Sequence, residues 1–265
     1  MTADATWLES MPEVYDRCLG PALFEPYAHR VAALVARRTP RTVLELAAGT
    51  GILTRELLRA LPRTVVTATD LNPAMVAWAA GRAPGATWLP ADAQRLDFPD
   101  ESFDVVACQF GVMFFPDKPA AFAQAARVLR PGGSMIMTVW DSLETSDLPA
   151  AYMAALARML PERSPDFMAR IPHGYADPDQ VRRDIRAGGL RVEDCERVVL
   201  RGRAESAGSI AEGFSLGTPL RFALEQRGDL GDLTARLAAD LTDRLGAGPI
   251  DGELAAFLLA ARKPS

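Results

Sequence analysis

The stretch TVLELAAGTGILTRELLRALP, residues 42–62, decides the fold class of this chain. Its first residues are β-branched or apolar and predict a buried strand, and the segment after the glycines has the amphipathic spacing of a helix that a proline ends. Between strand and helix lie one acid, Glu45, and two glycines, Gly49 and Gly51. A strand that leads through a glycine-rich turn into a helix is typical of the ligand-binding edge of an α/β sheet.

The alternation of strands and helices continues to about residue 140. Four further apolar runs predict strands, namely TVVTATD, ATWLPAD, SFDVVACQF and SMIMTVWD. Parallel strands that are apolar almost throughout are covered by helices on both faces. Such sheets bind ligands beyond the carboxyl ends of their strands. The side chains at those ends are Glu45, Asp70, Asp92 and Gln109.

Outside this core the pattern is mostly helical. Residues 7–38 are rich in aromatic and apolar side chains and predict a helical segment that breaks near Gly20 and Pro21, and the PGG before the fifth strand predicts a turn. RVEDCERVVLRGR and ELAAFLLAARKP predict two late strands that complete the sheet. We therefore expect an N-terminal helical lid at 1–40, a cofactor-binding core at 41–145, and helical cap insertions with the last strands at 146–265.

Three ligands compete for the glycine-rich turn. A phosphate-binding loop needs a Gly-Lys pair at a fixed spacing, and neither glycine here is followed by one. A dinucleotide fingerprint needs a third small residue where this chain has Thr54, and Glu45 would repel a pyrophosphate. S-adenosylmethionine carries a cationic ammonium and a cationic sulfonium and no phosphate, so an acid at the first strand end favours it.

The remaining strand ends fit the same cofactor. Asp70 can accept hydrogen bonds from both ribose hydroxyls, the role of an acid about 20 residues on in dinucleotide sites. Asp92 can accept from the adenine amine, with the Ala93 amide near the ring. Leu71 and Met75 offer apolar surface to the adenine faces.

Four ordered motifs also resemble a known family. VLELAAGTGILT, TATDLNPAM, ADAQRLDFPDESFDVV and VLRPGG together are similar to the class I S-adenosylmethionine-dependent methyltransferases, small-molecule enzymes related to ubiquinone and menaquinone methyltransferases (type 11). The resemblance covers Val43 to about Trp140. It implies a Rossmann-like, seven-stranded, mostly parallel sheet with a final antiparallel strand beside the fifth, helices on both faces and a helical cap.

The resemblance also implies site residues, which agree with those found from the strand ends. The expected cofactor-binding residues are Glu45, Ala47, Gly49, Gly51, Asp70, Leu71, Met75, Asp92, Ala93, Gln109, Tyr15 and Tyr27. The two tyrosines come from the lid segment, where an aromatic face near a sulfonium makes a cation–π contact. Ala47 replaces the usual first glycine of the loop and narrows the pocket for the methionine part of the cofactor.

Composition limits the acceptor and the compartment. A net charge of −5 argues against a nucleic-acid substrate, and the position after the fourth strand reads QFGV rather than the proline box of base amine methyltransferases. No apolar stretch approaches a membrane span. Three separated cysteines fit a reducing compartment, so we expect a cytoplasmic protein with no metal. The oligomeric state cannot be read from the sequence.

The sequence predicts S-adenosylmethionine-dependent methyl transfer to a small-molecule acceptor, aromatic, quinone-like or another secondary metabolite, by direct displacement. Met, Phe and Leu in 146–170 and 206–245 predict a mostly apolar acceptor pocket, or only the packing of the cap. His173, in a loop with prolines and a glycine, is a candidate general base, with Tyr175 as a weaker one. Two alternatives stay open: a non-catalytic S-adenosylmethionine-binding protein and a nicotinamide-dependent oxidoreductase.

Overall fold

The fold is known from a computed structural model, which describes residues 11–162 and 164–265. Its centre is a seven-stranded sheet in the order β3-β2-β1-β4-β5-β7-β6. The strands are β1 Thr42–Glu45, β2 Val65–Asp70, β3 Thr87–Pro90, β4 Phe103–Gln109, β5 Leu129–Trp140, β6 Arg191–Ala204 and β7 Ile250–Arg262. Strands β1 to β5 pair in parallel. Strand β7 lies antiparallel between β5 and β6, which confirms the predicted sheet.

Helices surround this sheet. Those of the core are α2 Glu25–Ala36, α3 Ile52–Ala60, α4 Pro73–Arg82, α5 Lys118–Val128 and α8 Pro178–Ala187. Those of the cap are α6 Asp147–Met159, α7 Phe167–Arg170, α9 Ala207–Gly217, α10 Leu220–Glu225 and α11 Leu230–Leu245. Asn72, Asp117 and Asp177 cap the amino ends of α4, α5 and α8 with their side-chain oxygens. Among the described residues, no helix is both long and apolar enough to cross a bilayer.

The central strands are buried on both faces. Consecutive residues Val105, Val106, Ala107 and Cys108 of β4 are all at most 1% exposed. Successive side chains of a strand point to opposite faces of the sheet. The unbroken apolar runs of the sequence therefore reflect a sheet covered on both sides, as predicted.

The PGG segment does not form a simple turn. Phe103 pairs with Leu129 and Val105 with Ser134, so the ladder between β4 and β5 skips several residues of β5. Gly132 adopts a φ of 73° and donates its amide to the carbonyl of Lys263 beyond β7. The predicted turn is an irregular part of β5, because Gly132 and Gly133 find a backbone partner in Lys263, just after β7, and the strand does not end there.

The N-terminal helical segment is continuous where the sequence predicts a break. A short α1, Met11–Val14, runs into a π-helix at Tyr15–Phe24 and then into α2. Pro21 lies inside the π-helix, where the wider winding avoids the clash of a proline ring with the carbonyl one α-turn earlier. Trp7 and Leu8, part of the same prediction, lie outside the described residues.

Candidate functional site

The loop after β1 brings three strand ends together. The Leu46 amide donates to the carbonyl of Ala107 on β4, and the Ala48 amide to that of Thr69 on β2. After Glu45, the last residue of β1, Leu46 thus still bonds to β4 and Ala48 to β2 before the chain turns into α3. The glycine-rich loop is thereby held over the carboxyl ends of the parallel strands, where the fold binds ligands.

Ala47 departs from the expected glycine at a structural cost. Its φ is 52°, in the left-handed region that disfavours a Cβ. Its methyl group also fills the space beside Gly111, because a Cβ at position 111 would lie 2.5 Å from the Cβ of Ala47. The two positions are therefore coupled: the alanine at 47 requires a glycine at 111.

Glu45 is buried at the floor of the site. It is 1% exposed, and the Thr54 hydroxyl donates to its Oε2 at 2.6 Å. Burial is the main cause that raises its pKa to about 8, and the neighbouring Asp70 carboxylate adds to the rise. When such an acid ionises, few neighbouring groups offset its buried negative charge. It is therefore suited to a cationic partner such as an ammonium group.

Asp70 ends β2 and organises the rim of the site. Its Oδ2 accepts from the Gly49 amide at 2.8 Å, and its Oδ1 accepts from the Asn72 amide at 2.9 Å. Burial raises the pKa of the carboxyl, and these backbone amides oppose that rise. Each oxygen keeps a second lone pair, so the carboxylate can still accept from two hydroxyl groups.

Asp92 lies two residues beyond β3. Its Oδ1 accepts from the backbone amide of Gln94 at 2.8 Å and from the Gln94 side chain at 3.2 Å. Among the described residues, no hydrogen bond is made to its Oδ2. An oxygen of this kind, in a cavity that the apolar Leu71 and Met75 also line, can accept from an exocyclic amine.

Two buried polar atoms of the site have no hydrogen-bond partner. They are Oε1 of Gln109 and Oγ1 of Thr50, whereas Nε2 of Gln109 donates to the carbonyl of Phe24 at 3.1 Å. Leaving a buried acceptor unpaired is costly, so such atoms require an explanation. Both residues line one cavity, and a bound molecule with donor groups would satisfy them.

All of these groups surround one cavity of about 260 Å³. It brings together ten of the twelve expected cofactor-binding residues: Tyr15, Glu45, Ala47, Gly49, Asp70, Leu71, Met75, Asp92, Ala93 and Gln109. The polar groups lie at the strand ends, and the apolar ones line the walls.

Two expected residues lie elsewhere, which corrects the prediction for them. Gly51 is the N-cap of α3, has a φ of 82°, and packs on Trp88, whose Cη2 would lie 3.0 Å from an added Cβ. Tyr27 is fully buried, and its hydroxyl lies 2.9 Å from the carbonyl of Val198 and 2.7 Å from that of Leu254. Tyr27 therefore anchors α2 to β6 and β7, because its side chain points from α2 into the sheet.

A smaller second cavity adjoins the first. Four aromatic residues line both cavities: Tyr15, Phe24, Phe110 and Phe114. Around them the rings of Phe110 and Trp140 stack with centroids 3.6 Å apart, and Tyr15 stacks on Phe24. Phe110 has a φ of 54°, an unusual strain for an aromatic residue and one that is common at functional sites.

The second cavity is almost wholly apolar. No Asp, Glu, Lys or Arg occurs among the described residues that line it, and its side chains with polar atoms are those of Tyr15, Trp140, His173 and Thr218. His173 is 6% exposed, and its Nδ1 lies 2.7 Å from the carbonyl of Asp141. Tyr175 does not line this cavity; its hydroxyl donates to Asp184 at 2.7 Å.

Sequence reasoning missed several site residues. Thr50, Asn72, Gln94 and the aromatic residues Phe24, Phe110 and Phe114 also line the cofactor cavity. Phe110 directly follows Gln109 at the end of a strand, and Gln94 lies two residues after Asp92. Their closeness to predicted strand ends could therefore have indicated that they line the site. Phe24 belongs to the aromatic-rich lid segment, but no local pattern distinguishes it from the other aromatic residues there, because it reaches the site only through the path of the N-terminal helix.

Comparison with known proteins agrees with this geometry. Residues 43–133 match the model of a family described as a methyltransferase domain. The ubiquinone/menaquinone biosynthesis C-methyltransferase UbiE of Bordetella avium is 32% identical over 189 residues, which cover 66% of this chain and 72% of that protein. The chain belongs to the class I S-adenosylmethionine-dependent methyltransferases of the UbiE-like type.

Other relatives extend this result. A demethylmenaquinone methyltransferase of Deinococcus radiodurans is 28% identical to this chain. The alignment covers 68% of this chain and 80% of the Deinococcus protein. Five further curated relatives align over only 50% to 63% of their lengths. Phosphoethanolamine N-methyltransferase 2 of Haemonchus contortus, solved with S-adenosylmethionine, shares the fold with a TM-score of 0.60 and 17% identity, over 98% of this chain and 58% of that one.

The cofactor of this methyltransferase is S-adenosylmethionine. The family model and these relatives support neither the non-catalytic binding protein nor the nicotinamide-dependent oxidoreductase. The first cavity fits the cofactor, because its unpaired Gln109 Oε1 and Thr50 Oγ1 and its buried acids face a molecule rich in donors and positive charge.

Proposed function

We propose that the enzyme methylates a small, uncharged acceptor of aromatic or quinone-like character, held in the second cavity. The observation that carries this proposal is the junction of the two cavities through shared aromatic walls, with no charged side chain among the described residues of the second. An apolar lining of this kind favours flat apolar molecules and disfavours charged ones, which would lose their hydration without a partner.

We infer that the expected cofactor residues divide the work. Glu45 and Gln109 would bind the ammonium end, Asp70 the ribose hydroxyls, and Asp92 with Met75 the adenine. When bound, S-adenosylmethionine supplies a methyl group on a good leaving group. The protein then has to orient the acceptor and exclude water, which needs little further catalytic machinery.

The N-terminal segment, 1–40, would act as the lid over both ligands. Tyr15 and Phe24 of this segment line both cavities, which supports that role. The names of two relatives, a demethylmenaquinone methyltransferase and a ubiquinone/menaquinone biosynthesis C-methyltransferase, support a quinone-like acceptor. The separated free cysteines support a cytoplasmic location.

The test measures S-adenosylhomocysteine release with matched acceptors. We expect turnover with uncharged aromatic hydroxyl compounds and quinols, and none with phosphoethanolamine or sarcosine. Turnover of the charged acceptors alone would contradict the proposal. Calorimetric titration with S-adenosylmethionine runs beside the assay, so that a failed acceptor panel can be told from a protein that does not bind the cofactor.

A further inference from the structure

The hydrogen bond at His173 defines which ring nitrogen is free. A backbone carbonyl can only accept, so the 2.7 Å contact with Asp141 requires a proton on Nδ1, which in a neutral imidazole is the only ring N–H. Nε2 then carries the lone pair. Among the described residues no hydrogen bond is made to Nε2, and the ring lines the acceptor cavity.

The carbonyl that orients His173 is itself held in place. The Asp141 carboxylate accepts from Arg197 at 2.6 Å and from the Ser142 amide at 2.7 Å. The backbone amide of Asp141 donates to the carbonyl of Ala255 on β7 at 3.1 Å. The His173 amide donates to Met168 at 3.0 Å, which fixes the loop from the other side. The imidazole is thus positioned by a loop whose backbone is hydrogen-bonded to Met168 and by a carbonyl next to a hydrogen-bonded carboxylate.

The charges around this imidazole are few. Burial lowers the pKa of His173, whereas Asp141 and Glu144 raise it. Arg197 is paired with Asp141, and Tyr15, across the cavity, is neutral because burial raises the pKa of its phenol. His173 is therefore neutral at pH 7 and able to accept a proton.

We propose that His173 is the general base of this enzyme, and that the acceptor carries an acidic hydroxyl, as a phenol or enol does, which is methylated on oxygen. The proposal rests on the proposed function, because it places the acceptor in the second cavity. His173 Nε2 takes the hydroxyl proton, and the oxygen lone pair forms the new bond to the methyl carbon. The carbon–sulfur bond breaks with its electron pair staying on sulfur, and the imidazolium returns its proton to water.

Matched acceptors test the hydroxyl requirement. We expect S-adenosylhomocysteine release and O-methylated products with catechol and 1-naphthol, and no product with naphthalene or 1-naphthylamine. Methylation of the amine, or of ring carbon in place of oxygen, would overturn the assignment. A wild-type enzyme that binds S-adenosylmethionine but turns over neither hydroxyl compound would overturn it too. Loss of cofactor binding would instead contradict the proposed function.

Variants test the base itself. His173→Ala should lower kcat by about 100-fold or more, the usual range for removing a general base. It should leave the Kd for S-adenosylmethionine within about twofold and respond to added imidazole with partial recovery, which a merely structural role would not show. The acidic limb of the wild-type pH–rate profile should vanish. Full activity in both His173→Ala and His173→Gln would remove the role.

A measurement without turnover keeps the proposal testable if these variants fold poorly. Nitrogen-15 NMR of the histidine rings in the wild-type protein should show His173 as the Nδ1–H tautomer at pH 7.5, with His29 as the internal comparison. A protonated Nε2 at that pH would contradict the proposal.

Discussion

Tyr15 and Phe24 stack with ring centroids 5.0 Å apart, although they stand nine positions apart in one helical segment. In an α-helix of 3.6 residues per turn, nine positions make two and a half turns and place two side chains on opposite sides. In a π-helix, with roughly 4.4 residues per turn, they make about two turns and share a side. The Glu25 amide bonds the carbonyl of Gly20 with this wider spacing. The winding thus brings both rings over the junction of the two cavities.

Because Phe24 lines both cavities, we expect it to act in ligand binding as well as in packing. We expect Phe24→Leu to lower the free energy of unfolding by about 1 kcal/mol and to weaken both cofactor binding and acceptor saturation. The matched control is Phe122→Leu, because Phe122 is fully buried away from the two cavities. Chemical denaturation and calorimetry should show that the control loses stability without losing affinity. Equal affinity in the two variants would contradict the binding role.

Glu45 should make cofactor binding release a proton. Its pKa of about 8 means that roughly 0.9 of the carboxyls are protonated at pH 7. An ammonium group bound beside Glu45 favours the carboxylate, so the proton leaves on binding. Titrations in two buffers of different ionisation enthalpy measure this release. It should disappear in Glu45→Gln and persist in the control Glu205→Gln, which changes an exposed acid.

The same group predicts how stability of the free enzyme varies with pH. Because burial raises the folded-state pKa from 4.5 to about 8, the folded chain keeps a proton that the unfolded chain has lost between these values. The contribution of Glu45 is therefore present below pH 4.5 and is lost as the pH rises toward 8. Thermal denaturation of Glu45→Gln should show a smaller decline over this interval than the wild type. An identical decline would mean that Glu45 is already ionised when buried.

Asp70 should govern affinity for the cofactor. Asp70→Asn removes the charge and leaves one of two backbone amides, from Gly49 or Asn72, without an acceptor. Hydrogen bonds to charged groups contribute about 1.5–3 kcal/mol each, so we expect the Kd for S-adenosylmethionine to rise by about 100-fold. Asp97→Asn, at an exposed position, serves as the control. Unchanged affinity in Asp70→Asn would exclude the carboxylate from the site.

The pair Ala47 and Gly111 should show strong coupling. Ala47→Gly relieves a left-handed backbone and should stabilise the fold by about 0.5–1 kcal/mol. Gly111→Ala should destabilise it by about 2 kcal/mol or more, since its Cβ would lie 2.5 Å from that of Ala47. The double variant should be more stable than the sum of the two effects, although the contact with Cys108 Sγ at 2.9 Å remains. Strict additivity in a denaturation cycle would show that the two positions do not interact.

The sequence by itself determined the sheet and most of the cofactor cavity. Apolar runs alternate with amphipathic helices, and the first strand end, Glu45, is followed by the glycine-rich turn, so local patterns suffice to place Asp70 and Asp92 at the same edge. Parallel strands have their carboxyl ends on one side, and short turns keep those residues there. Nine of the ten expected residues that line the cavity, all but Tyr15, do so for this reason.

Only the tertiary structure decided which aromatic residues reach the site. Tyr15, in the π-helix, lines it, whereas Tyr27, in α2, is buried with its hydroxyl at the carbonyls of Val198 and Leu254. Gly51 packs against Trp88 of β3, a contact that the sequence around the glycine does not predict. His173 lies in a loop far along the chain from Trp140, yet the two rings are neighbours and both line the second cavity. Such contacts join distant segments, and their geometry depends on the packing of the cap rather than on any local periodicity.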